Sequence, residues 1–430
     1  MKRNAINELI KWKSDPDRKP LVLKGARQVG KTWLMKEFGH TNYENTAYFN
    51  FEESDELKTI FQTNKNPQRI IDILSLISNC KITPGKTLII FDEIQECPQA
   101  LNSLKYFKEN ANQYHVIAAG SLLGTLLSEP MSYPVGMVNL LHVYPLTFDE
   151  FLSAVNENLF NYYKTITKGS HIEDIFHNRL WEALCYYLII GGMPECVSSW
   201  IKHKDPVRIS KLQNDLIEIY ENDILKHGGK INSARTLMVF RNISTQLAKP
   251  NEKFIYGAIK EGARAREFEE AIEWLVSAGL INRLYNISKP EHPLPAFDRL
   301  DCFKLFMLDT GLLKHMSGIE NTAILLKSDY QFKGPLTENY VLQQIIGQFN
   351  VAPRYFSWNK GELDFVIQSN TNIIPIEVKG GSDKSANSFK RYIQDHQSIE
   401  AIRFSSQNYL KSGQITNIPL YLAPKLKDLL

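Results

Sequence analysis

The sequence predicts an α/β protein built on a parallel sheet covered by helices on both faces, and three observations predict it. Apolar strands alternate with helical stretches up to about residue 150, as a layered sheet of that kind requires. Leu88 to Phe91 is continuously apolar, the pattern of a strand buried on both faces. Between the apolar run Leu21-Val22-Leu23 and a helical stretch stands Gly25-Ala26-Arg27-Gln28-Val29-Gly30-Lys31-Thr32, a complete G-x-x-x-x-G-K-T.

That spacing suits one task. Successive backbone N–H groups curl around a β-phosphate, and glycine permits the curl by tolerating positive φ and leaving room for the phosphate. Gly25, Arg27, Gln28, Val29, Gly30, Lys31 and Thr32 are therefore the predicted nucleotide-binding residues. Lys31 is expected to reach the β- and γ-phosphates, and Thr32 to hold Mg²⁺. The motif in its strand-to-helix setting predicts a user of ATP or GTP.

Downstream, Tyr48-Phe49-Asn50-Phe51 closes a further strand, after which Glu52 and Glu53 carry no assigned chemistry. Thr87-Leu88-Ile89-Ile90-Phe91-Asp92-Glu93 is a buried strand ending in two acids. Ligands of open α/β sheets bind at such C-terminal strand ends, so Asp92 is expected in the Mg²⁺ shell and Glu93 beside the attacking water. Taken alone, an ordinary strand with a surface acid pair explains the same residues; the phosphate loop upstream decides between them. The strand His115 to Ala119 leads into Gly120-Ser121, which places Ser121 to sense a γ-phosphate or to cap the helix begun by Leu122-Leu123.

Composition bounds the class. With 430 residues, 43% hydrophobic and 23% charged, the chain can fill roughly two or three cores. No apolar run approaches the roughly 20 residues that span a bilayer, and Met1-Lys2-Arg3-Asn4 leads into a polar amphipathic stretch rather than a signal sequence, so a cytoplasmic protein without a membrane partner is expected. The five cysteines (Cys80, Cys97, Cys185, Cys196, Cys302) lack paired metal spacing and read as reduced, structural thiols. A net charge of +3 gives no whole-chain basic field for nucleic acid. Local patches at Lys226 to Lys230 and from Lys253 through Arg264 and Arg266 could still bind DNA or RNA, although such clusters are more often solvated faces.

The domain boundaries follow from pattern changes: 1–150 the nucleotide core, 151–235 a helical lid, 236–320 a winged helix and 330–430 a second α/β domain. Ile175 to Ile190 and Ile209 to Leu225 read as long helices, broken by Gly191-Gly192-Met193-Pro194. Ile243 to Leu247 and Phe254 to Ile259 suggest short helices, and Arg266 to Ala278 is amphipathic. Gly279 ends that helix, and Leu280 to Ile287 alternates like an edge hairpin. Winged helices lie on DNA through one helix and the hairpin, which would employ Arg264, Arg266 and Arg283, or they join domains and bind protein. The two readings stand level.

In the last domain Gly361 to Ile367 and Ile373 to Lys379 are strands whose alternation puts Glu362 with Asp364 on one face, and Glu377 with Lys379 on one face. If the strands are neighbours, carboxylates and a lysine converge, the composition of a site that binds Mg²⁺ through oxygen and activates water. Ordinary cross-strand ion pairs have the same composition. Thr337-Glu338-Asn339-Tyr340 begins an amphipathic helix upstream; a polar helix around Phe389 to Ile393 and a strand at Ala401 to Phe404 follow.

Read in order, Gly25 to Thr32, Phe91 to Gln95, Ala119-Gly120-Ser121, Tyr144 to Phe151, Gly191 to Pro194, Asp309-Thr310-Gly311-Leu312 and Glu377-Val378-Lys379 resemble the prokaryotic AAA-type P-loop ATPases that carry a C-terminal domain of unknown function, 4143. The resemblance implies ATP rather than GTP, hydrolysis with Lys31, Glu93 and Ser121 as catalytic residues, and Mg²⁺ on Thr32 and Asp92. It also implies a homo-oligomer in which an arginine completes a neighbour's site; Arg27, Arg241, Arg264 and Arg266 are all candidates. The chain departs from the family after Pro134-Val135-Gly136, where Met137 replaces a basic residue. The C-terminal order resembles the PD-(D/E)XK nuclease superfamily. That likeness implies a restriction-endonuclease-like α/β domain with Glu338, Asp364 and Glu377 as metal ligands and Lys379 as a catalytic residue. A signalling switch or scaffold with a non-cleaving C-terminal domain is the alternative, and a small-molecule kinase leaves the C-terminal half unexplained.

Overall fold

The computed structural model describes residues 1–121, 123, 136–227, 230–249, 252–326, 332–359, 361–380, 387–396 and 400–430. Leu122, Pro134, Val135, Gly228 and Gly229, on which parts of the sequence reading fall, lie outside them. The chain divides into two compact units, residues 2–144 with Ser277–Gly279, and Met1 with Pro145–Val276 and Leu280–Leu430.

The N-terminal unit holds, among the described residues, a five-stranded sheet: β1 (Leu21–Lys24), β2 (Asn45–Asn50), β3 (Thr87–Asp92), β4 (His115–Ala119) and β5 (Asn139–His142), in the order β2-β3-β4-β1-β5. Every pairing is parallel, so all strand ends that carry the predicted chemistry open on one edge. β4 lies between β1 and β3, which sets Ser121 between the phosphate loop and Asp92 along that edge. β3 is buried at every position. On one face of the sheet Phe51, Phe61, Phe91 and Phe107 meet edge to face at 5.5–6.3 Å between ring centres. Pairs of that geometry add about 0.5–1.5 kcal/mol each beyond area burial, and they hold the strand that ends in Asp92. Asn66 caps the covering helix Pro67–Ser78 by accepting from the Gln68 and Arg69 N–H groups, with proline at the first helical position where no N–H is needed.

In the C-terminal unit the helices from Phe148 to Leu247 and the strands from residue 281 onward share one body. Helices Asp174–Ile190 and Pro206–His227 stand where the periodicity predicts them. Ile243–Leu247 is no separate helix; it ends helix Lys230–Leu247, whose buried face already includes Ser233, Thr236, Val239 and Phe240 upstream. Only a 3-10 turn, Tyr256–Ala258, forms in the next predicted segment.

Helix Ala265–Ser277 leads into β6 (Ile281–Ile287) and its antiparallel partner β7 (Asp298–Met307). β6 is interior rather than an edge, because Asn286 pairs with Tyr355 of β8 (Arg354–Trp358). The hairpin thereby joins a larger sheet with β9 (Gly361–Ser369), β10 (Asn372–Val378), β11 (Ala401–Ser405), β12 (Leu410–Ser412) and β13 (Ile415–Pro419). Among the described residues the order is β12-β13-β11-β10-β9-β8-β6-β7. Helix Lys333–Ile345 precedes β8, and helix Asn387–Asp395 separates β10 from β11.

Three sequence motifs of this unit meet in one buried hub. Gly191 ends its helix at φ 78°, and a Cβ there would run into the carboxylate of Asp309. Asp309, fully buried, accepts from the N–H groups of Gly192 (2.6 Å) and Leu312 (3.1 Å) and from Gln343 Nε2 (3.0 Å). Gln344 Oε1 accepts from the Phe148 N–H at 2.8 Å, and the Tyr187 hydroxyl donates to the Leu146 carbonyl at 2.5 Å. Gly191-Gly192, Asp309 to Leu312 and the segment around Phe148 therefore satisfy one another's polar groups out of water, where an unmade bond costs about 1–3 kcal/mol.

Candidate functional site

At the β1 end of the N-terminal sheet the loop has the shape its glycines allow. Gly25 (φ 152°), Gln28 (φ 64°) and Gly30 (φ 94°) all take positive φ, and a Cβ on Gly25 would collide with the Val143 carbonyl oxygen. Left-handed residues among ordinary ones turn successive N–H groups to one side, making a concave anion cradle at the start of helix Lys31–Asn42.

Lys31 is buried, and its ammonium donates to the carbonyls of Gly25 (3.0 Å) and Ala26 (2.8 Å). Burial, reinforced by Arg27 and opposed by Glu93 and Asp92, lowers its pKa to about 8. Thr32 Oγ1 donates to Asp92 Oδ2 at 2.7 Å, and the Tyr48 hydroxyl donates to the same oxygen at 2.9 Å. Burial, then the charge of Asp92 and that hydrogen bond, hold the Tyr48 phenol well above its usual range. Glu93 stands at φ 49°, a sparsely populated conformation for a non-glycine residue and one that gathers at functional sites. Its Oε2 accepts from Gln95 Nε2 (2.6 Å) and Ser121 Oγ (3.2 Å).

The structure thus brings Gly25 to Thr32, Asp92, Glu93 and Ser121 to one strand-end edge. It adds three residues that the sequence reading passed over. Arg3, itself buried, donates from Nη1 to the loop carbonyl of Val29 (2.9 Å) and from Nη2 to that of Tyr144 (2.6 Å). Its partners lie 26 and 141 positions away, and no local pattern marks it. Tyr48 and Gln95 flank the acids; Tyr48 was legible only as a strand residue, and Gln95 only as the last residue of the Phe91 to Gln95 motif, with no role attached. Among the arginine candidates, Arg241 grips Glu221 with two bonds of 2.6 Å, whereas Arg264 and Arg266 are exposed.

The C-terminal residues are brought together differently from the sequence expectation. β9 and β10 are antiparallel neighbours, as the converging-carboxylate reading requires. Glu377, however, pairs with Lys379 (2.9 Å) and Arg403 (3.2 Å), and Asp364 Oδ2 accepts from the Val378 N–H at 2.6 Å. Glu338 faces Glu252 and Lys304 instead. Among the described residues, no group of three or more His, Cys, Asp or Glu side chains is placed to hold a metal ion. As they stand, Glu377 is engaged by cationic side chains and Asp364 by a backbone N–H, while the buried Glu338 Oε2 has no hydrogen-bond partner, so the three are not gathered as the oxygen cage of a hard divalent cation.

At the centre stands Lys304 on β7, only 1% exposed. Its Nζ lies 2.6 Å from Glu362, 3.2 Å from Glu252 and 3.7 Å from Glu338. Burial alone would lower its pKa, but the charges of Glu338, Glu252, Glu362 and Asp364 outweigh burial and raise it well above the usual lysine value. Burial first, then repulsion by Glu252, holds the Glu338 carboxyl well above the usual carboxylate range. Asp364 is pushed up by burial and by Glu338. Arg283 is likewise taken up: its buried guanidinium bonds Glu269 (2.9 Å) and Glu273 (3.0 Å) and packs over Phe303, so it does not present the DNA-facing cation that the hairpin reading assigned to it.

Three family models match successive stretches: an AAA domain (AAA_14) over residues 17–152, domain of unknown function 8612 over 182–323, and domain of unknown function 4143 over 333–421. The uncharacterized protein MJ1544 of Methanocaldococcus jannaschii is 26% identical over 249 residues, which take in 57% of this chain and 50% of that protein. The chain thus spans half the length of that relative. Among solved structures, the Walker-type ATPase of Pyrococcus abyssi is similar with a TM-score of 0.47 at 14% identity, over 73% of this chain and 95% of that one. The Orc1 protein of Aeropyrum pernix, solved in complex with DNA, has a TM-score of 0.26 at 12% identity, over 76% and 95%. AMPPCP-bound DnaA from Aquifex aeolicus has 0.27 at 11%, over 64% and 85%. No described helix is long and apolar enough to cross a membrane. The chain accordingly carries an AAA domain over residues 17–152 and a domain of the 4143 type over residues 333–421.

Proposed function

We propose that the chain binds and hydrolyses ATP at the β1–β3–β4 edge and uses its nucleotide state to change how the C-terminal unit engages a partner. The observation that carries this reading is the 2.7 Å hydrogen bond between Thr32 and Asp92 beside a loop with left-handed Gln28 and Gly30. A hydroxyl and a carboxylate that already touch form a hard-oxygen pair fit for Mg²⁺. Thr32 and Asp92 would hold that ion, which when bound neutralises charge on the phosphate oxygens. Gly25, Arg27, Gln28, Val29 and Gly30 supply the cradle. Lys31 exchanges two neutral carbonyls for phosphate oxygens, a better partner for a buried ammonium. Glu93 accepts a proton from the attacking water, and Ser121 and Gln95 aim its carboxylate through the bonds described above. Arg3 keeps the loop in register by holding Val29 from behind.

A homo-oligomer in which exposed Arg264 or Arg266 reaches a neighbour's γ-phosphate belongs to the same proposal, as do a DNA or RNA partner and a winged-helix role for helix Ala265–Ser277 with β6 and β7. For the C-terminal domain, the occupied acid cluster favours the switch or scaffold reading over a nuclease. The test is phosphate release with and without single-stranded, duplex and branched DNA, read beside the integrity of that DNA. Glu93→Gln is expected to keep ATP affinity within about threefold and to lower turnover by about 10²–10⁴. Unchanged turnover in that variant removes the assignment.

A further inference from the structure

We propose that Lys304 is a built-in cation: its ammonium occupies the position between Glu252, Glu338 and Glu362 that a divalent ion would need, so the C-terminal sheet is closed to metal and engages its partner without cutting it. The inference is independent of the ATPase reading, because it concerns the other unit.

Four observations converge on it. Lys304 is 1% exposed and lies in the wholly buried stretch Cys302 to Met307 of β7, so its charge is met by protein groups rather than by water. Burying an ammonium is tolerated only where counter-charge surrounds it. Its neighbours supply that charge, with Glu362 at 2.6 Å, Glu252 at 3.2 Å and Glu338 at 3.7 Å, and the Tyr355 ring lies 5.1 Å from Nζ. An ammonium has three N–H donors and no acceptor, so it satisfies carboxylates as a small cation does. The remaining acids have their own partners: Asp364 takes the Val378 N–H, and Glu377 takes Lys379 and Arg403. A divalent ion entering among these oxygens would sit within a few ångströms of a fixed positive charge and would find its ligands engaged except Glu338 Oε2, which is buried without a hydrogen-bond partner.

The carboxylates also come from separate places in the fold. Glu338 stands on helix Lys333–Ile345, Glu362 on β9, and Glu252 precedes the turn Tyr256–Ala258. Lys304 ties them to β7, which makes it the cation around which the two halves of this sheet assemble.

The test compares full-length wild type, Glu362→Gln and Lys304→Gln, all free of nucleotide, by Mn²⁺ titration followed through the signal of free Mn²⁺, and by thermal unfolding. Wild type and Glu362→Gln are expected to take up equal amounts of Mn²⁺, since they differ only at the cluster. Lys304→Gln is expected to unfold about 10 °C lower, as loss of one partner of a buried ion pair does. It should also gain one Mn²⁺ per chain that wild type lacks, recover part of the lost stability when Mn²⁺ is added, and lose both effects when Glu362→Gln is added. A wild-type Mn²⁺ site abolished by Glu362→Gln overturns the proposal. So does a folded Lys304→Gln protein that binds no additional ion. Should Lys304→Gln fail to fold, the comparison of wild type with Glu362→Gln decides alone.

Discussion

Two lysines in this chain are almost equally hidden from water and yet have opposite electrostatics. Lys31, 7% exposed, rests on two neutral carbonyls, and burial lowers its pKa to about 8. Lys304, 1% exposed, rests among carboxylates, and they raise its pKa despite deeper burial. The first is an ammonium short of negative charge, which a triphosphate supplies. The second has its negative charge supplied by the fold. Burial alone therefore says nothing about whether a cation is a binding device; the charge of its nearest oxygens does.

The comparison breaks most readily at Lys31. Lys31→Ala is expected to reduce ATP turnover by at least about 100-fold, measured as phosphate release, while the melting temperature moves little because only carbonyl contacts are lost. A large fall in stability with turnover retained would make Lys31 a structural residue like Lys304. Next in size is the hub of the C-terminal unit. Gly191→Ala puts a methyl group against the Asp309 carboxylate at a positive φ and is expected to cost about 2–3 kcal/mol, read as a drop in melting temperature of roughly 5 °C or more. A shift under about 1 °C would mean that this unit's charges are less tightly fixed than the comparison holds.

A smaller effect belongs to Arg3. Removing its bond to Val29 in Arg3→Ala should raise the Kd for ATP about tenfold, the loss of one charge-assisted hydrogen bond; an unaltered Kd in calorimetry would detach Arg3 from the loop's function. The smallest is a pH effect at His115 in β4. Burial first, then Arg18 and Lys13, lower the imidazole pKa to about 4, against about 6.5 in an unfolded chain. Between those values the unfolded chain binds a proton that the folded one refuses, so stability of the N-terminal unit falls as pH is lowered through that window. Urea midpoints at about pH 4.5 and about pH 7 should differ less in His115→Gln than in wild type; equal differences would acquit His115.

How much of this was legible in the sequence divides along the same line. The nucleotide edge could be read because its chemistry is local: Gly25 to Thr32 is one stretch, and Asp92, Glu93 and Ser121 each follow directly on an apolar strand. The C-terminal cluster could not, because its partners are distant. Lys304 meets Glu252 and Glu362 across 52 and 58 positions, and along the chain a lysine in a strand looks like a side chain turned to water. One signal was available: Cys302-Phe303-Lys304-Leu305-Phe306-Met307 is an apolar run with a single charge inside it, and a charge there needs a buried partner. Reading Glu338, Asp364 and Glu377 by likeness to nucleases left out Lys304, which lies 3.7 Å from Glu338. The motifs Gly191-Gly192 and Asp309 to Leu312 were visible as motifs, but their mutual contact is a property of packing, which neither segment encodes alone.

The strand that carries Lys304 also bears on how such a protein can be assembled from parts. β6, β7 and Glu252 belong to the stretch matched by the 8612 family, while Glu338, Glu362 and strands β8 to β13 belong to the stretch matched by the 4143 family. A recombination breakpoint anywhere between residues 323 and 333 would part the ammonium from Glu338 and Glu362, leave it with Glu252, and uncover the flank of β8. The two stretches are thus one heritable piece, and a descendant that kept only the latter would have to find a new cation or lose its acids.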